Sequence, residues 1–240
     1  MTAASDRICV ALDFPTRDEV LAMARRLSGR VGWLKVGLEA FTAEGPSLVS
    51  EVAAAGARVF LDLKFHDIPA TVAGAVASAA RSGAAMVNVH ASGGRAMMEA
   101  ARQAATRAGL EKIIAVTLLT SLDAHCLAEL PIEGGPHEVA TRLAALAQSC
   151  GLDGVVCSAT DLPGIRKACG PGFLTVVPGI RPAGADVQDQ KRVATPAAAV
   201  AAGADILVIG RPITSAPDPV EALEKIVAEV DGSPSSPLHS

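Results

Sequence analysis

Eight short apolar runs, each followed by a helical stretch, predict an α/β protein of one domain, the (β/α)8 TIM barrel. Two further observations agree. The chain has 240 residues, the length of one such barrel. Ionic side chains also fall at the C-terminal ends of the first three runs (Asp13, Lys35, and Asp62 with Lys64), the edge where parallel α/β folds build their sites. A doubly wound open sheet is the alternative reading of the same alternation.

The elements follow in order. Residues 8–12, Ile-Cys-Val-Ala-Leu, form the first strand and lead to Asp13. A helix is expected over 16–27, with Asp18 and Glu19 in its first turn, where the helix dipole favours acids. Trp33-Leu34-Lys35-Val36-Gly37 is the second strand, and 46–55 its helix, stopped by Gly56. The third strand begins at Arg58-Val59-Phe60-Leu61 and then turns ionic. Alternate side chains of a strand share a face, so Asp62 and Lys64 point one way and Leu61 and Leu63 the other. Helices over 69–82 and 94–107, the second stopped by Gly109, flank a fourth strand at 86–90. The fifth strand is 113–117. An irregular stretch over 119–135 follows, of a length often functional. A helix over 137–150, a sixth strand at 154–157, a short helix over 161–168 and a seventh strand at 173–177 come next. A second long loop spans 179–194. Thr195 is placed to cap a helix over 196–202, the eighth strand is 206–209, and a helix over 219–230 closes the barrel. No linker divides the chain, so the domain is expected to span 1–230, with the Ser/Pro-rich 231–240 as a disordered tail.

Composition narrows the function classes. Hydrophobic residues make up 50% and charged residues 19%, enough for a large core, and a formal net charge of −4 argues against general nucleic-acid binding. The apolar runs are too short to cross a membrane, and Met1 to Arg7 lacks the basic and apolar segments of a signal peptide. Cys9, Cys126, Cys150, Cys157 and Cys169 show no CxxC spacing and read mostly as buried free thiols, in keeping with a cytoplasmic protein. No lysine sits in an evident pyridoxal-phosphate context and no His/Cys/Asp cluster has metal-ligand spacing, so no cofactor or metal is expected.

A carboxylate and an ammonium on one inward face must be desolvated together, which stability alone seldom selects. Each strand-end charge taken singly is also an ordinary solvated residue; four in register point to chemistry. The seventh strand ends in Pro178-Gly179-Ile180-Arg181-Pro182 and the eighth in Ile209-Gly210-Arg211-Pro212. Glycine lets a backbone N–H approach a phosphate and arginine adds bidentate hydrogen bonds, and barrels of this kind often hold phosphate after strands seven and eight. Either turn alone could be a solvated Gly-Arg turn. His66 reads as structural, His90 as a residue that could approach the site, and Trp33 as core.

Asp62-Leu63-Lys64-Phe65-His66-Asp67-Ile68-Pro69 resembles the D-x-K-x-x-D-I-P signature of the orotidine 5′-phosphate decarboxylase family, in its short bacterial form. The resemblance runs from Leu12-Asp13 through Leu34-Lys35-Val36-Gly37 to Ile209-Gly210-Arg211-Pro212. It implies a cofactor-free decarboxylase of pyrimidine synthesis in which Lys64 donates the proton to C6 of the pyrimidine. By the same resemblance, Asp62 would lie beside the departing carboxylate, Lys35 would hold Asp62 and contact the ribose, and Asp13 would bind a ribose hydroxyl. It implies too that Asp67, Ile68 and Thr71 complete the site of a partner subunit in a homodimer, that Thr120 contacts the base, and that Arg181, Gln190, Gly210 and Arg211 surround the phosphate. One rival is a magnesium-dependent phosphosugar decarboxylase or aldolase of the same superfamily, such as a 3-keto-gulonate-phosphate decarboxylase or a hexulose-phosphate synthase. Those place an acid at the end of strand two, where this chain has Lys35. The other rival is a non-catalytic phosphosugar or nucleotide binder, which would not need Asp62, Lys64 and Asp67 together.

Overall fold

The computed structural model describes residues 3–182 and 194–232. Within them, eight parallel strands close into a barrel in sequence order: β1 (Ile8–Ala11), β2 (Trp33–Gly37), β3 (Val59–Phe65), β4 (Ala84–His90), β5 (Lys112–Val116), β6 (Gly154–Val156), β7 (Leu174–Val177) and β8 (Ile206–Ile209). β8 returns to β1 with Cys9 opposite Val208, which removes the open-sheet alternative. Residues 183–193, which hold Gln190 and most of the second long loop, lie outside the description, as do residues 233–240 of the expected tail.

Helices cover the outside. They are α1 (Arg17–Leu27), α2 (Leu38–Glu44), α3 (Pro46–Ala54), α4 (Pro69–Arg81), α5 (Gly94–Ala108), α6 (Ala124–Ala128), α7 (Pro136–Ser149), α8 (Leu162–Cys169), α9 (Pro196–Ala201), α10 (Arg211–Thr214) and α11 (Pro219–Asp231). Their ends follow local chemistry. Thr16 accepts from the Glu19 N–H to start α1, Thr195 from Ala198 to start α9, and Asp218 from Val220 and Glu221 to start α11. Gly109 adopts the left-handed conformation, at φ 68°, that ends α5. Three short helices were not expected from sequence. α2 starts directly from β2 and is separated from α3 by Gly45 alone, at φ 72°. α6 sits inside the irregular stretch, where Asp123 accepts from the Cys126 N–H at 2.9 Å. α10 follows Gly210 at the end of β8. Helices of four to seven residues are too short to show a 3.6-residue pattern and depend on tertiary packing.

Two apolar layers hold the barrel. Ile8, Val10, Leu34, Val36, Val59, Leu61, Val87 and Val89 pack outward against the helices. Cys9, Ala11, Trp33, Phe60, Met86, Ile114, Val176, Ile206 and Val208 pack inside it. The strands are therefore covered on both faces, which is why they read as nearly continuous apolar runs. Trp33 belongs to the inner layer, with the Arg58 guanidinium 3.9 Å over its ring. At the opposite end from the strand C-termini, ions serve the frame. Asp153 accepts from Arg102 at 3.0 Å and from the Ile113 N–H at 2.8 Å, and Asp205 from Arg166 at 2.6 Å and the Thr175 N–H at 2.7 Å. All five cysteines are thiols, and all but Cys126 are buried. Among the described residues no helix is long and apolar enough to cross a membrane.

Candidate active site

The inward parity of each strand carries its last side chains into the mouth of the barrel. On β1 the inward series Cys9, Ala11 continues to Asp13; on β2 it is Trp33, Lys35; on β3 it is Phe60, Asp62, Lys64. These ends line a cavity of about 540 Å3. Asp13, Lys35, Asp62, Lys64, Thr120, Arg181, Gly210 and Arg211 all border it. Asp67, Ile68 and Thr71 do not border it; they are exposed on the turn after β3 and at the start of α4, and Asp67 accepts from the Ile68 N–H at 2.6 Å. Gln190 lies outside the described residues.

Four ions alternate in sign across the floor. Lys35 Nζ lies 3.0 Å from Asp13 Oδ1 and 3.5 Å from Asp62 Oδ2, and Lys64 Nζ lies 2.7 Å from Asp62 Oδ1. Burial opposes charge on Lys35, but the neighbouring Asp62 and Asp13 outweigh it and raise the ammonium above its ordinary range. Burial likewise pushes the Asp62 carboxyl up, yet Lys35, Lys64 and two hydrogen bonds outweigh it and hold the acid below its ordinary range. Both shifts favour the charged forms of Lys35 and Asp62. Gly37 makes room for it. A Cβ at that position would stand 2.8 Å from Lys35 Nζ and 2.9 Å from Asp13 Oδ1.

Strand β3 is irregular where it carries its ions. Its pairing with β4 jumps from Leu61 opposite Val87 to Phe65 opposite Val89. Lys64 sits in the left-handed region at φ 52°, alone among the described residues other than glycine. That conformation costs about 1–2 kcal/mol, and such strain gathers at functional sites. Asn88 is buried beside this bulge, bonded to both Lys64 and Asp62. Sequence reasoning passed over it as one polar residue in an apolar strand; its parity with His90 was the available signal. Glu39 and Thr214 also border the cavity and were missed, because each lies on a short helix that the sequence did not announce. The His66 and His90 rings lie tilted by 36° with centroids 5.3 Å apart, outside the cavity lining, and burial, His66 and Lys64 depress His90.

Gly179 and Arg181 after β7 and Gly210 and Arg211 after β8, the strand beside β1, also line the cavity. The Arg181 N–H donates to the Ala194 carbonyl at 2.9 Å, so the two ends of the second long loop are joined. Among the described residues no group of three or more His, Cys, Asp or Glu side chains is placed to hold a metal ion.

Comparison with known proteins agrees with this geometry. Residues 6–226 match the profile of the Orotidine 5′-phosphate decarboxylase / HUMPS family. An orotidine 5′-phosphate decarboxylase of Halorhodospira halophila is 56% identical over 93% of this chain and 95% of its own. Another, of Anaeromyxobacter sp. strain K, is 54% identical over 93% and 98%. The crystal structure of orotidine 5′-phosphate decarboxylase from Lactobacillus acidophilus superimposes with a TM-score of 0.82 at 35% identity, covering 94% of this chain and 99% of that one. A closed eight-stranded barrel, an alternating Asp-Lys-Asp-Lys row at its mouth and kinship over nearly the whole length lead to one assignment: the chain belongs to the orotidine 5′-phosphate decarboxylase / HUMPS family.

Proposed function

We propose that this protein removes CO2 from orotidine 5′-phosphate to give uridine 5′-phosphate, a step of pyrimidine synthesis carried out in the cytoplasm. The observation that carries the reading is the alternating row Asp13–Lys35–Asp62–Lys64 in a cavity that Gly210, Arg181 and Arg211 also line. When the C6–carboxylate bond breaks, its electron pair stays on C6 in the plane of the ring, where the ring's π system offers no sink. A fixed cation is then the stabilising device. Lys64, held 2.7 Å from Asp62, meets the developing charge and passes a proton from Nζ to C6; the amine regains its proton from solvent.

Lys35 bridges Asp13 and Asp62 and keeps both in place for the ribose and for Lys64. Thr120 borders the cavity where it could contact the base, and the two Gly-Arg turns take the phosphate, with Gln190 contributing from the intervening loop. Binding energy won at the phosphate, remote from C6, is expressed in the transition state. Asp67, Ile68 and Thr71 serve the site of a second copy in a two-fold dimer; Ile68 is 67% exposed, so its side chain is open to such a partner. The magnesium-dependent rival fits less well, because the Lys35 ammonium already stands between two carboxylates that such an ion would need.

The test is loss of orotidylate ultraviolet absorbance with and without EDTA, with Lys64→Ala as control. Rapid, EDTA-resistant loss that depends on Lys64 is the expected result. Turnover that needs added magnesium, or that survives Lys64→Ala, would refute the mechanism.

A further inference from the structure

Asn88 lies on β4 between Met86 and His90, on the inward face, with no exposed surface. It does not border the cavity, so it is not placed to touch a substrate. Its side chain nevertheless makes two bonds to the last two members of the ionic row, Asp62 and Lys64. The amide Nδ2 donates to Asp62 Oδ1 at 2.7 Å, and Oδ1 accepts from the backbone N–H of Lys64 at 2.8 Å. The chemistry of the partners sets the orientation of the amide: an ionised carboxylate only accepts and a backbone N–H only donates.

The second bond answers a need that the strand creates. Between the pairs Leu61–Val87 and Phe65–Val89, three residues of β3 face the single residue Asn88. The regular ladder is interrupted there, and a buried N–H left without an acceptor is costly. Asn88 supplies that acceptor at Lys64, the residue held in the left-handed conformation. The first bond acts on the acid. Asp62 Oδ1 receives both the Asn88 amide and Lys64 Nζ, while Oδ2 faces Lys35. An uncharged side chain of this length that both donates and accepts is an unusual requirement for the interior of a strand, and asparagine meets it.

We propose that Asn88 is a positioning residue of the active centre: one buried amide clamps the Asp62 carboxylate and the strained Lys64 backbone together, so that the carboxylate and the proton-donating ammonium keep one fixed geometry. The inference rests on the decarboxylase reading given above. The charged or titratable groups around Asp62 are Lys35 on β2, Lys64 on β3, Asp13 and Cys9 from β1 and its extension, and His90 on β4.

Two variants test it. Asn88→Ala removes both bonds; kcat should fall about 10²-fold, the usual cost of a misplacement near 1 Å, while affinity for uridine 5′-phosphate changes little. Asn88→Asp has nearly the native shape and keeps the acceptor for Lys64, but sets a like charge against Asp62. The acid limb of its kcat/KM profile, and the titration of Asp62 followed by carboxylate 13C NMR, should both move to higher pH. A residue that merely filled space would lower the melting temperature and leave both where they were. Folded variants with native kcat and an unmoved Asp62 titration overturn the proposal; if Asn88→Ala does not fold, the near-isosteric Asn88→Asp decides alone. Were the wild type inactive on orotidylate, the decarboxylase reading would fail, and the NMR titration would still judge the clamp.

Discussion

Gly37→Ala is the smallest change that should disable this centre. Gly37 has φ −95°, which any residue adopts, so the backbone does not demand glycine there. On backbone grounds alone the substitution is close to neutral: alanine restricts the unfolded chain by about 0.4–1 kcal/mol and loses a comparable amount as the N-cap of α2. Space is what forbids it. The new methyl would stand 2.8 Å from Lys35 Nζ and 2.9 Å from Asp13 Oδ1, where ordinary contact begins at 3.4 Å. The two groups are themselves paired at 3.0 Å, so the methyl must part them or push both away. Overpacking of this kind costs about 1–3 kcal/mol. The displacement passes to Asp62, 3.5 Å from the same ammonium. A misplacement near 1 Å at reacting groups costs about 10²-fold, so kcat/KM should fall by about that factor while the protein still melts cooperatively. Steady-state decarboxylation measured beside a thermal melt reads both quantities. A Gly37→Ala enzyme with kcat/KM within about threefold of wild type, less than 1 kcal/mol, would refute the claim that this glycine exists to admit the Lys35–Asp13 pair.

Three more outcomes are expected. Arg211→Ala should weaken affinity for uridine 5′-phosphate by about 10- to 100-fold, the worth of a charged hydrogen bond, and leave uridine nearly untouched; equal losses for both would take the phosphate away from β8. Stability should depend on pH through the ionic row. Asp62 is held below the ordinary carboxylate range, so its contribution is full above that range and is lost as pH falls through the folded value; Lys35 is held above the lysine range, so its contribution is full below that range and is lost as pH rises through the folded value. The urea midpoint of wild type relative to Asp62→Asn should therefore decline in acid, and a rise there would contradict the assignment. Finally, if Asp67 serves the partner's site, mixing inactive Lys64→Ala and Asp67→Ala chains should restore about a quarter of native activity, since half the dimers are mixed and each regains one site. No recovery after subunit exchange would argue for self-contained sites.

Much of this was legible before any coordinates. Strands buried on both faces must be apolar along their whole length, so a charge at a strand's end stands out, and Asp13, Lys35, Asp62 and Lys64 announced themselves that way. The two Gly-Arg turns did so by chain position, at strands seven and eight. What the sequence by itself determined was therefore whatever one-dimensional periodicity records: eight units, their order, and the edge that bears the ions. Only the tertiary structure decided the rest. Barrel closure brings β8 beside β1 and so sets Arg211 and Asp13 around one cavity, residues with no local relation. The bulge in β3, the left-handed Lys64 and the amide of Asn88 that answers them exist because β3 and β4 fall out of step. The worth of Gly37 likewise appears only when Lys35 and Asp13 arrive from two different strands. Such contacts depend on the distance between groups far apart in the chain, and a pattern along one strand carries no record of that distance.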